Sequence, residues 1–157
     1  MAGTDPAPSP LDHDALLAIA RQAVANACEI KPEDVRVDDE GDIDFGTEHS
    51  SAAVFVGAKT EPSSLVFRTL LLQDVVETPQ VYALLNEVNI DLLLGQVYYM
   101  DGEIWLHYRL VVDRPHPATI ESILNYMLEF ADDYDDKLKS RLGGSRLIEK
   151  TEDEIEI

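Results

Sequence analysis

Residues 96–111, QVYYMDGEIWLHYRLV, hold an Asp-Gly pair between two strand-like runs, and this pair restricts the fold more than any other short stretch. A two-residue type I′ turn needs positive φ at both central positions, which aspartate followed by glycine adopts readily. Placing Asp101 and Gly102 there fixes a register: Met100 faces Glu103, Tyr99 faces Ile104, Tyr98 faces Trp105, Val97 faces Leu106 and Gln96 faces His107. Side chains alternate across a strand, so one face carries Val97, Tyr99, Ile104, Leu106, Tyr108 and Leu110. The other carries Gln96, Tyr98, Met100, Glu103, Trp105, His107 and Arg109. A face open to water should be polar, so aromatic rings on both faces call for a second partner. Either a short helix, the N-terminal arm or the C-terminal tail covers Tyr98, Met100 and Trp105 within the chain, or these residues form an interface.

The rest of the chain supplies helices and further strands. From Asp12, apolar positions Leu16, Leu17, Ala20, Val24, Ala27 and Cys28 recur at helical spacing, with Asp12 or Asp14 as cap and a stop before Lys31-Pro32. Strand character follows at Val35–Val37, Ile43–Phe45, Ala53–Ala58 and Leu65–Leu72, broken by the turn-rich stretches DDEGD, GTEHSS and KTEPSS. Thr78-Pro79 starts a short helix with Val81, Leu84, Leu85 and Val88 on its apolar stripe, and Asn86 and Asn89 read as its stop. A long stripe, Ile120, Ile123, Leu124, Met127, Ala131, Tyr134 and Leu138, marks a final helix ended by Gly143-Gly144. The order predicts an α+β fold: an antiparallel sheet with helices mainly on one face, as helix, strands, short helix, hairpin, long helix. Residues 1–11, with three prolines, read as a disordered arm; 12–144 as a single domain; 145–157 as an acidic tail.

Chemistry finds little purchase. Histidines 13, 49, 107 and 116 are scattered and the one cysteine stands alone, so no metal or cofactor is expected. DDEGDID, residues 38–44, lacks the spacing of a calcium loop and reads as a turn. Asp132 to Asp136 read as a solvated helix face with Tyr134 turned to the core. No phosphate loop, nucleophile elbow or catalytic constellation accompanies His107, so the chain does not read as an enzyme. With 31 acidic against 12 basic residues the net charge is −19, which repels nucleic acid and anionic membranes and favours basic partners. The N-terminus has neither a basic nor an apolar leader region, and no apolar run reaches membrane-spanning length, so a soluble, cytoplasmic protein is expected.

VYALLNEVN, then GQVYYMDGEIWLHYRLVVD, then ADDYDDKLKSRLGG, in that order, resemble the YbjN domain, which is related to type III secretion chaperones. The resemblance spans about residues 12–144 and rests on Leu85-Asn86-x-x-Asn89, the Asp101-Gly102 hairpin and the closing Gly143-Gly144. It implies a small, acidic, often dimeric chaperone-like module that holds a peptide or protein segment. The function expected is therefore non-catalytic binding of a client segment through the open sheet face, as a homodimer. Tyr98, Met100, Trp105, His107 and Arg109 are the candidate binding residues. The competing expectation is a small-ligand sensory or regulatory domain with a pocket between sheet and helices.

Overall fold

A computed structural model describes residues 9–46 and 52–146, together with 3, 5 and 6. Expectations for His49, for the rest of the 47–51 loop, for part of the N-terminal arm and for tail residues 147–157 lie outside the described residues.

Helix α1, His13–Cys28, begins where Asp12 accepts the amide of Ala15, and ends at Glu29 in left-handed geometry. Strands β1 (Ile43–Phe45), β2 (Val54–Thr60) and β3 (Ser63–Leu72) form a meander. Helix α2 (Pro79–Asp91), the hairpin β4 (Gln96–Met100) and β5 (Glu103–Val111), and helix α3 (Pro117–Leu142) complete the fold. The five strands are all antiparallel in the order β1-β2-β3-β5-β4, so the late hairpin enters beside β3 through β5. This is the α+β arrangement that the sequence predicts, with the hairpin in the predicted register and Asp101 and Gly102 at φ 50 and 86.

Inward side chains of the sheet, among them Val56, Leu65, Phe67, Ile104 and Leu106, are fully buried and join one core with Leu16, Ala20, Ile120, Leu124 and Met127 of the helices. α1 and α3 lie against β2 and β3 and against each other, while α2 flanks β4. Among the described residues no helix packs on the opposite face, because the buried side of each helix belongs to that single core. The helices therefore sit on one face only. Among the described residues none is long and apolar enough to cross a membrane.

Several local expectations are corrected. Val35–Val37 is not a strand: a single 3-10 turn, Pro32–Asp34, precedes it, Val35 is buried at its end, and Val37 makes one bridge to Ile43. KTEPSS is mostly strand, because the turn needs only Glu61 and Pro62. Thr78 is the N-cap of α2 but its hydroxyl makes no capping bond; Pro79 sets the start. Asn86 and Asn89 do not end α2, which continues to Asp91; Asn89 instead bonds across to β4. The acidic run in α3 is not uniformly solvated: Asp135 is buried, and Tyr134 is half-buried, stacked on Phe130 at 4.3 Å. In the 38–44 stretch Asp38 accepts the amides of Glu40 and Asp42, which closes the turn.

Candidate peptide-binding face

The open face is built from strand alternation and from the β3 to β5 register. Leu70 pairs with Trp105, Arg68 with His107, Val66 with Arg109 and Ser64 with Val111. On the far side of β5, Trp105 pairs with Tyr98, His107 with Gln96 and Glu103 with Met100. On the far side of β3, Arg68 pairs with Phe55 and Val66 with Gly57. All five residues singled out from the hairpin therefore share one face, and β3 adds to it Val66, Arg68 and Leu70.

Trp105 is the centre of the apolar part. Leu70, only 5% exposed, lies opposite it on the face away from the main core, and Met100 at the turn is 52% exposed. The Arg68 guanidinium stands over the indole at 5.9 Å from its centroid, and indole Nε1 donates to Glu103 at 2.8 Å. Tyr98 lies directly across from Trp105 in the backbone, yet its ring meets His107 edge-on at 6.3 Å. The reason is the ladder phase. Val97 turns its N–H and C=O outward to Asn89, so Tyr98 and Trp105 form the hydrogen-bonded, wider kind of pair.

The charged part of the face is divided unequally. Arg68 donates to Asp42 at 2.8 Å, and the Asp42 carboxylate lies over Gly57, where a Cβ would meet its Oδ1 at 2.6 Å. Arg109 instead donates through Nε to the hydroxyl of Ser64 at 3.0 Å. Ser64 is fully buried and donates its own proton to the Pro62 carbonyl, so it is anchored at both ends. Burial holds the His107 imidazole below its ordinary range, and the neighbouring positive charges of Arg68 and Arg109 push it the same way. His107, Arg109, Gln96, Tyr108 and Gly95 line a shallow depression at this end.

Arg68 and Leu70 escaped the sequence reading. Their alternation within LVFRTLLL places them on one face of β3, but which residues of β5 they meet depends on a long-range register that no turn between them sets.

A second cleft, of ≈ 180 Å³, lies between α2 and α3, lined by Leu84, Val88, Tyr134 and Leu138 with Glu87, Asp91, Lys137 and Arg141 at its margin. The space between sheet and helices is occupied by the core side chains named above.

Comparison with known proteins places this architecture. Three solved structures share the fold at 16% identity. A chain of the ExsC–ExsE complex matches with TM-score 0.60, over 77% of this chain and 94% of that one. A chain of the HopA1–SchA chaperone–effector complex matches at 0.57, over 81% and 99%. A chain of the complex of the Yersinia pestis type III secretion chaperone SycH with a stable fragment of YscM2 matches at 0.51, over 74% and 94%. None of the curated proteins matches the chain. The family model TY-Chap1, described as type III secretion (YopN, CesT) and YbjN peptide-binding chaperone 1, matches residues 14–150. The family match runs over most of the chain, and this chain belongs to the TY-Chap1 family of peptide-binding chaperones.

Proposed function

We propose that this protein is a non-catalytic, cytoplasmic chaperone that holds an extended segment of a client protein on the open face of its sheet. The observation that carries the reading is the position of Trp105, Tyr98, Met100 and Leu70 on the one sheet face that no described helix covers. Aromatic residues and arginine are the side chains that most often dominate binding energy, and the face offers both. Its structural neighbours include chains seen in complexes with other proteins, in keeping with a binding role. The charge of −19 favours clients with basic stretches around the held segment, with association faster at low salt.

The working unit in this reading is a homodimer, and α2 is the better candidate for its interface. Tyr82, Ile90 and Leu93 are 49%, 75% and 78% exposed along the outer side of α2 and its C-terminal extension, an apolar stripe separate from the open sheet face. Pairing through α2 leaves Trp105 free for the client. Ile90→Asp should then yield a folded monomer by light scattering while Trp105→Ala remains a dimer. The functional reading itself is tested by melting and binding in the same Trp105→Ala variant. Client affinity should fall by about 2 kcal/mol or more with the fold intact. A sharp loss of stability with unchanged affinity of the folded fraction would assign the ring to the monomer.

A further inference from the structure

Resting on the open-face reading, we infer that the face selects segments in which an apolar side chain and an aspartate or glutamate are separated by three residues. The apolar side chain sits over Trp105, which the buried Leu70 backs from β3, and the carboxylate is taken by Arg109.

The argument is one of charge placement within a strongly acidic chain. The two arginines of the face differ in what they have to bind. Arg68 is already answered by Asp42 and is drawn over the indole. Arg109 is held by a neutral hydroxyl, and among the described residues no carboxylate pairs with it. The bond from Nε to the doubly anchored Ser64 fixes the plane of the guanidinium and leaves its terminal nitrogens for a ligand. A planar fork of this kind fits a carboxylate in bidentate fashion. His107, next to it on the face, adds no competing anion and packs edge-on against Tyr98 on its other side.

Spacing follows from the strand. Trp105 and Arg109 lie on the same face of β5 four residues apart, roughly 13 Å at the rise of a β-strand. An extended segment laid along β5 presents its own side chains to the sheet at every second position, so groups four apart in its sequence reach both sites. A residue moved by one position points away from the sheet. The long-range negative field of the protein and this local positive site act at different distances: the first is screened within about a Debye length, the second works in contact. A client with basic flanks and one acid in the held segment satisfies both.

The test uses end-blocked nine-residue peptides on a serine-glycine background, and the emission of Trp105, the single tryptophan of the chain. One peptide carries leucine and glutamate separated by three residues, in each chain direction. A second replaces glutamate by glutamine, and a third moves the glutamate by one position. Titration to millimolar concentration should show the first bound about 10-fold more tightly than the others, the scale of one hydrogen-bonded charge. In Arg109→Gln that preference should vanish while the glutamine peptide binds as before; Arg109→Lys should restore only part of it. Equal binding of the glutamate and glutamine peptides, or a preference that survives in Arg109→Gln, overturns the carboxylate site while the open-face reading stands. If no peptide alters Trp105 emission, both fall together.

Discussion

Asn89 of α2 holds both main-chain groups of Val97 in β4: its Oδ1 accepts the Val97 N–H at 2.8 Å and its Nδ2 donates to the Val97 carbonyl at 3.0 Å. The side-chain amide thus replaces the next strand on the outer edge of the sheet. At the opposite edge the main chain does the same for β1, where Asp44 N–H donates to the Arg36 carbonyl. Blunted edges discourage pairing with other strands and leave the broad face as the place for a client. Asn89→Ala should lower stability by about 1 to 2 kcal/mol in urea, from two lost hydrogen bonds, and increase self-association by light scattering. Unchanged stability and scattering would mean that water replaces the amide without cost.

Gly95 places the depression beside Arg109. Its φ is +81, and a Cβ there would meet the main-chain oxygen of His107 at 2.5 Å, an atom that β5 holds in place. Gly95→Ala should cost about 2 kcal/mol or more. Gly41→Ala is the control, since Gly41 has φ +86 and open space around it, and should cost about 1 kcal/mol. Equal melting temperatures for the two variants would remove the steric part of the argument.

His107 gives a pH dependence of defined sign. Its folded-state pKa lies below the ordinary value, through burial first and then through Arg68 and Arg109. As pH falls, the unfolded chain takes up this proton before the folded one does. The contribution of His107 is therefore complete above the unfolded value of about 6.5 and is lost progressively as pH falls from there toward the lower folded value. Urea midpoints from about pH 7 to about pH 5 should decline more steeply in the wild type than in His107→Gln. Parallel curves would show that the imidazole titrates alike in both states.

The C-terminal boundary is also testable. Ser145, placed in the tail by its sequence, exchanges two backbone hydrogen bonds with Gln73 at 2.8 and 2.9 Å, and Arg146 is buried and pairs with Asp136. A chain ending after Arg146 should melt close to the full-length protein, and one ending after Leu142 several degrees lower. A chain ending after Arg146 that already melts as low as the one ending after Leu142 would show that residues 147–157 carry the stability instead.

What the sequence made legible follows from the range of the interactions. The hairpin register was readable because one turn sets it, and the helical stripes because their periodicity is local. Placing Tyr98, Met100, Trp105, His107 and Arg109 on one face needed nothing more than alternation. Arg68 and Leu70 joined that face through pairing across 35 to 39 residues, which leaves no local trace. Asn89 differs for another reason: asparagine near a helix end is ordinarily a terminator, and here its amide is taken by a strand residue eight positions on, which the helix pattern does not show. Asp135 likewise looked solvated among four other acidic or aromatic neighbours until the tertiary fold buried it.

The most direct measurement is NMR mapping of the leucine–glutamate peptide on the isotope-labelled protein. The account predicts that the Trp105 indole and the side-chain signals of Leu70, Val66 and Met100 move on binding, while Leu84, Val88 and Leu138 in the α2–α3 cleft remain in place. Shifts confined to Leu84, Val88 and Leu138, with the Trp105 indole unmoved, would contradict it.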